Sequence, residues 1–312
     1  LFRIFEATSM KLIVFAGILS YCIAQEDEIT SSDLSYFEAA VAGYKTRDRR
    51  LKAKPVQFYA MGDAPYSNTE KLNLPVQIAN LDPNVEFAVH LGDMQDRVST
   101  CVPEPYDDLA KDLKKSKVPI LITPGDNCYY DCANWKEGFQ YWSDALGQTL
   151  DANWDMKFNI RRQPVRPENF AITHNRVLFI GIHTLWARKI KDQKHWNMVE
   201  NQNINWTKNQ LKNFAHSGKV DAVVIFTHSY SRKTLYKKYW EFLSDEAETL
   251  ELPFLYLQGD AHRFNQDTPF RAKNILRTVV DRGGISDPLL VVVDTSKKNP
   301  FIFEHRALSG KY

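Results

Sequence analysis

Seven short apolar runs punctuate the chain, each closing on a small or polar residue: Val56 to Met61, Glu86 to Leu91, Val118 to Thr123, Val177 to His183, Ala222 to Thr227, Pro253 to Gln258 and Leu289 to Val293. Continuous runs of this length, rich in Val, Ile, Phe and Tyr, predict strands buried on both faces. Between several of them apolar residues return every three or four positions, over Leu74 to Leu81, Tyr106 to Lys115, Trp135 to Leu146, Ile204 to His216 and Leu235 to Ala247. That spacing predicts helices. Strands alternating with helices argue for a layered α/β sheet. Two stretches break the alternation. Phe170 to His183 reads as a hairpin turning at His174-Asn175-Arg176, and Leu289 to Asp294 with Phe301 to His305 repeats that pattern across Lys297 to Pro300.

Ahead of this pattern the texture differs. Met10-Lys11 precedes an apolar run, residues 12 to 24, that ends at Ala24. One positive charge, a short apolar core and a small terminal residue predict a secretory signal peptide, with an uncleaved anchor as the alternative. The run is shorter than the roughly 20 residues of a membrane span, and no other stretch is long enough. Residues 1 to 9, ahead of the methionine, read as upstream translation. Residues 25 to 52 are polar and charged, a linker or a loosely held first helix, and 53 to 308 reads as one domain. The expected location is secreted or extracytoplasmic.

At 312 residues, 44% hydrophobic and 25% charged, the chain is of ordinary globular composition, which excludes a disordered tail, a collagen-like fibre and a coiled coil. A formal charge of +2 gives no footprint for nucleic acid or an anionic membrane. Binding must rest on a local site. Cys22 leaves with the signal, so Cys101, Cys128 and Cys132 remain, an odd number in an oxidising compartment. Asn205-Trp206-Thr207 is a glycosylation sequon that fits a secreted route.

In open α/β sheets ligands sit at the carboxyl ends of strands. Five predicted strand ends carry the same kind of chemistry: Gly62-Asp63-Ala64-Pro65-Tyr66, Gly92-Asp93-Met94-Gln95-Asp96-Arg97, Gly125-Asp126-Asn127, His228-Ser229 and Gly259-Asp260-Ala261-His262. One Gly-Asp alone is a turn or a helix cap. Five such ends in order are a site. Asp and His are ligands for hard and borderline divalent metals, and this many carboxylates buried without a cation would raise one another's pKa.

These residues resemble the calcineurin-like metallophosphoesterases, which include the purple acid phosphatases. The family pattern of Asp-x-His, Gly-Asp-x-x-Asp, Gly-Asn-His, a lone His and Gly-His-x-His falls in order over residues 56 to 264. The resemblance implies a four-layer α/β/β/α sandwich of mixed sheets, with the metal site at strand C-terminal ends. It also implies a metal-bridging hydroxide that hydrolyses a small phosphomonoester or phosphodiester. Two divalent or trivalent ions are expected (Mn, Fe, Mg, Zn or Ca), and the carboxylate-rich set favours Mn, Mg, Fe or Ca.

Residue by residue, the resemblance assigns the first metal to Asp63, Asp93 and His262, and the second to Asp93, Asp126, His228 and Asp260. Pro65 stands where the family has a ligating His. Asp96 is expected to fill that vacancy, because purple acid phosphatases place a ligating Tyr three residues after the bridging Asp; Tyr66 is the reserve. Asp126 and Asp260 replace an Asn and a His ligand. Asn127 replaces the catalytic His, and it can donate a hydrogen bond but no proton. Asn127, Arg97 and His228 are the expected catalytic residues, with His90, His174 and His183 as further candidates for the missing acid. Arg97 either clamps phosphate or pairs with a nearby carboxylate. If the loops after Asp93 and Asp126 flank one site, Cys101 and Cys132 can meet in a disulfide and leave Cys128 free. Two other readings stand beside the enzyme: a weak or inactive member of this fold that binds metal, phosphate or a partner, and a plain α/β binding domain without metal.

Overall fold

The computed structural model describes Ser35 and residues 53–97, 101–186, 190–229 and 236–305. The chain divides at Lys52–Ala53 into two units, and the described residues other than Ser35 all lie in the second. The predicted signal peptide and residues 36–52 are outside the described residues.

The first sheet has five strands: β1 (Val56–Met61), β2 (Phe87–His90), β3 (Ile120–Ile122), β11 (Leu289–Val293) and β12 (Phe301–Glu304), in the order β12-β11-β1-β2-β3. The second has seven: β4 (Arg161–Gln163), β5 (Arg166–His174), β6 (Val177–Gly181), β7 (Ala222–Thr227), β8 (Phe254–Gln258), β9 (Asn265–Asp267) and β10 (Ile275–Val279). Its order is β4-β5-β6-β7-β8-β10-β9. β1, β2 and β3 run parallel, as do β6, β7, β8 and β10, while the outer strands pair antiparallel. The hairpin at Asn175 is present, and Asn175 and Arg176 both take the positive φ that a tight two-residue turn needs.

Strand alternation builds the layers. Val56, Phe58 and Ala60 of β1 face Phe179, Phe226 and Leu255 of the other sheet in one core. Its centre is aromatic: Phe58 stacks on Phe87 at 5.1 Å and meets Phe179 edge-on at 5.6 Å. The alternate residues Tyr59, Met61, Leu178 and Ile180 join the helices in a second core. Those helices are α1 (Asn68–Ala79), α2 (Pro103–Leu113), α3 (Trp135–Ala145), α4 (Gln193–Gln210) and α5 (Lys237–Leu250). The result is the expected four-layer α/β/β/α sandwich of mixed sheets. Ser67 caps α1 with Glu70 in a reciprocal capping box, which fixes the chain just after the first strand end. The sequon residue Asn205 is exposed but lies within α4, and Thr207 is buried with its hydroxyl 3.0 Å from that of Tyr239.

Three strands escape the apolar-run reading: the short polar β4 and β9, and β10. β10 is interrupted by Arg277, which is 4% exposed yet sits in a strand. Its charge is met by Asp267 of β9, with Nε donating at 2.7 Å.

Candidate metal centre

The ends of β1, β2, β3, β7 and β8 converge, and the hydrogen bonds between them run largely through the candidate ligands. Asp63 N–H donates to Gly92 O, and Ala64 N–H to Asp93 O, both at 2.9 Å. Asn127 N–H donates to Asp93 Oδ1 at 2.9 Å. Asp260 N–H is shared between Asp63 Oδ1 and Oδ2 at 3.0 and 3.1 Å. His228 Nδ1 donates to Leu91 O at 2.8 Å. Each loop therefore orients a ligand on another loop.

The backbone is strained here. Asp63, Asp93, Asp260 and His262 have φ of 56°, 53°, 68° and 59°, and among the described residues they make up half of the non-glycine positions with positive φ. Each such residue costs on the order of 1–3 kcal/mol and persists where the surroundings impose it. Two glycines allow the close approach. A Cβ on Gly92 would stand 2.8 Å from His228 Nδ1, and one on Gly125 would stand 2.1 Å from Asp93 Oδ1.

Two donor groups result, each with ligand atoms within 4.8 Å: Asp63, Asp93 and His228, and Asp126, His228 and Asp260. His228 Nε2 is 3.1 Å from Asp126 Oδ1 and 3.4 Å from Asp93 Oδ1. These are contacts without alignment, for Nε2 is buried with no hydrogen-bond partner. A histidine fixed at Nδ1 by a backbone carbonyl, with Nε2 aimed among carboxylates, is the arrangement of a metal ligand. Burial pushes the Asp63 carboxyl well above its ordinary pKa; His228 opposes this and Asp93 adds to it. Burial and then Asp93 raise Asp126. Burial works against a charged His228, but Asp93 and Asp126 outweigh it and raise its pKa well above the ordinary value. This is the carboxylate conflict that a cation relieves, and the donor set fits a pair of hard or borderline ions.

Tyr66, not Asp96, stands in the gap left by Pro65. Its hydroxyl donates to Asp93 Oδ2 at 3.0 Å and lies 3.4 Å from Asp63 Oδ1 and 3.5 Å from His262 Nε2. Asp96 is exposed and, like His262, belongs to neither donor group, but His262 reaches Asp63 and Tyr66. For Asp96 the reason lies in the two residues before it. Met94 and Gln95 are buried, and Gln95 donates to Asn127 O at 3.1 Å, so the chain has already turned outward at position 96. There Asp96 and Tyr66 line a cavity of about 630 Å³ beside α2.

Arg97 does not enter the site either; it pairs with Asp131 at 3.3 Å. Asn127 is buried, with its main chain holding Asp93 and Gln95. His262 is half-exposed, 3.5 Å from Asp63 Oδ1, and its pKa is lowered by burial first and by Arg282 next. His90 supports the first loop from behind, with Nε2 3.0 Å from Ala64 O. His183 is buried among Tyr129, Glu168 and Arg166, and His174 lies 3.9 Å from Glu86. Two further groups touch the centre. Trp186 N–H donates to Asp126 Oδ1 at 3.2 Å, and the Arg282 guanidinium lies 4.6 Å from the centre of the Tyr66 ring. Arg282 follows β10, a strand that the apolar runs do not reveal.

Cys101 and Cys132 form a disulfide, with Cα atoms 5.7 Å apart, and Cys128 is a buried free thiol. Gln95 donates to both Cys101 Sγ and Asn127 O, so the bridge and this side chain tie the same two loops together.

No family model matches the sequence, and no curated protein matches it. Solved structures do. The purple acid phosphatase PPD1 of yellow lupin (Lupinus luteus) seeds superposes with a TM-score of 0.53 at 12% identity, covering 84% of this chain and 53% of that one. A 5'-nucleotidase of Candida albicans gives a TM-score of 0.46 at 13% identity over 80% of this chain and 51% of that one. GAP50, the anchor in the inner membrane complex of Plasmodium, gives 0.46 at 14% identity over 80% and 88%. The chain thus spans about half the length of the phosphatase and the nucleotidase. The superposition on the lupin purple acid phosphatase shows a shared fold.

Proposed function

We propose that this protein is a metal-dependent phosphoesterase that hydrolyses a small phosphoester outside the cytoplasm. The observation that supports it most is His228 Nε2, buried without a hydrogen-bond partner between Asp93 and Asp126. Asp63, Asp93, His262 and Tyr66 would hold one cation, and Asp93, Asp126, His228 and Asp260 the other. Bound there, such ions supply Lewis-acid polarisation of a phosphoryl oxygen and an acidified water.

The chain's own residues do the rest. Asp93 receives Asn127 N–H on Oδ1, which orients its carboxylate; the Tyr66 O–H that reaches Oδ2 would give up its proton if Tyr66 took a cation. Leu91 O keeps the proton of His228 on Nδ1 and leaves Nε2 as a donor pair toward the site. Asn127 offers a hydrogen bond but no proton, so substrates with good leaving groups are favoured. The disulfide fits an oxidising compartment, as does the predicted signal peptide. Among the described residues no helix is long and apolar enough to cross a membrane, and a net charge of +2 speaks against a nucleic-acid partner.

A second reading, a metal- or phosphate-binding protein without rapid turnover, is favoured by Asn127 and by the Arg97–Asp131 pair, which takes Arg97 from the substrate. Elemental analysis with p-nitrophenyl phosphate and bis-p-nitrophenyl phosphate, with and without Mn, separates the two. Metal-dependent hydrolysis supports the enzyme; bound metal without hydrolysis supports the second reading.

A further inference from the structure

The loop from β10 to β11 carries one arginine to the edge of the first donor group, and its neighbours are pinned to the site. Asp281 Oδ1 accepts Phe264 N–H at 2.8 Å, two residues past His262. Gly283 N–H donates at 2.9 Å to the carbonyl of Gly62, the residue before Asp63. Gly284 N–H donates to Gln77 Oε1 and its carbonyl accepts from Asn73 Nδ2, both at 2.9 Å, which fixes the loop on α1. A Cβ on Gly283 would stand 3.0 Å from Gly62 O, and one on Gly284, at φ +71°, would stand 2.9 Å from Glu70 Cβ. The loop lies as close to the site as backbone allows.

Arg282 sits between these anchors, its guanidinium 4.6 Å from the centre of the Tyr66 ring. Nη2 is 2.6 Å from Glu70 Oε1, and the side chain is still 29% exposed. That contact is an ion pair without hydrogen-bond alignment: Glu70 Oε1 and Arg282 Nε are both buried with no hydrogen-bond partner. Glu70 spends its other oxygen on the N–H groups of Tyr66 and Ser67. A guanidinium has five N–H donors in a planar fork that matches two oxygens of one anion. Here that fork lies beside Tyr66 with Nε unpartnered, at a site where Asn127 is neutral.

We propose that Arg282 binds the phosphoryl group of the substrate and that this substrate is a phosphate monoester. The inference rests on the phosphoesterase reading above. Two cations and a guanidinium are three anion-seeking groups; a monoester offers three terminal oxygens, whereas a diester offers two.

The test uses the Mn-loaded protein, Arg282→Gln and Arg282→Lys, titrated calorimetrically with inorganic phosphate, with metal content measured on the same samples. Arg282→Gln is expected to keep its metal and to weaken phosphate binding by about tenfold or more, the scale of one lost charge-assisted contact. Arg282→Lys is expected to recover part of that loss. With p-nitrophenyl phosphate, KM should rise more than kcat falls, while kcat/KM for bis-p-nitrophenyl phosphate should change little. Phosphate binding in Arg282→Gln equal to wild type overturns the proposal. Metal loss in parallel with phosphate loss also overturns it, because Arg282 would then only brace Glu70 and Tyr66. Equal losses on both esters overturn the monoester assignment. Absence of phosphate binding by the wild-type protein, with metal present, overturns the phosphoesterase reading itself.

Discussion

Removing one oxygen atom decides which residue joins Asp63, Asp93 and His262 around one ion. In Tyr66→Phe the ring, its contact with Arg282 and the Ser67 cap all remain, and only the hydroxyl is lost. That hydroxyl makes its shortest hydrogen bond to Asp93 Oδ2 at 3.0 Å, with longer ones to Asp63 Oδ1 at 3.4 Å and His262 Nε2 at 3.5 Å. Without metal, the loss is one hydrogen bond to a charged acceptor, about 1.5–3 kcal/mol. With metal, the loss is one donor beside Asp63, Asp93 and His262, expected to weaken binding roughly 10- to 100-fold, or about 1.4–2.8 kcal/mol. Asp96→Asn alters an exposed side chain outside both groups and should leave affinity within about twofold of wild type. Mn affinity and stoichiometry by titration calorimetry read both variants against wild type. If Tyr66→Phe keeps wild-type affinity while Asp96→Asn loses it, the placement of Tyr66 as a ligand is refuted.

His228→Ala removes the histidine donor of the second ion, beside Asp93 and Asp126, so it should cost more than about tenfold in affinity there; full metal occupancy in the variant would contradict this. Gly125→Ala brings a Cβ to 2.1 Å from Asp93 Oδ1 and should lower metal affinity by roughly tenfold or more with the fold retained by circular dichroism. His90 is buried, and burial lowers its pKa from 6.5 to about 4. The unfolded chain therefore takes up this proton below about pH 6.5, while the folded chain resists until about pH 4. Stability from this group is complete above that window and is lost as pH falls through it, by roughly 3 kcal/mol in all. Denaturant melts of the metal-free protein should show the wild type losing this much relative to His90→Gln between pH 7 and pH 4; a constant difference would sink the argument. Asn127→His restores a titratable group and should raise turnover of p-nitrophenyl phosphate, by up to roughly 100-fold; no gain with metals intact would mean that the proton comes from elsewhere.

The sheets were legible because their central strands are apolar on both faces, and the strand ends because each presents Gly-Asp or His directly after such a run. β10 was not legible, since Arg277 breaks its apolar run and only a distant residue, Asp267, makes that charge tolerable. Asp63, Asp93, Asp126, His228 and Asp260 make up the two donor groups. Asp96 does not join them, and the cause is tertiary: the buried Gln95 side chain turns the loop outward one residue earlier. Arg97 and Arg282 show the same limit. Both are arginines beside a Gly- or Asp-rich loop, but Asp131 draws one away while Glu70 and Tyr66 hold the other beside the site. The Cys101–Cys132 bridge was within reach because each cysteine lies a few residues beyond a strand end that had to meet the other.

The central claim, that converging carboxylates and His228 form a two-ion phosphoester site, is tested most directly by metal stoichiometry measured with activity on one sample. Elemental analysis of purified protein, before and after chelation and Mn reloading, should give about two ions per chain. Hydrolysis of p-nitrophenyl phosphate should disappear on chelation and return on reloading. A fully folded protein that takes up no divalent metal under any loading would contradict the account.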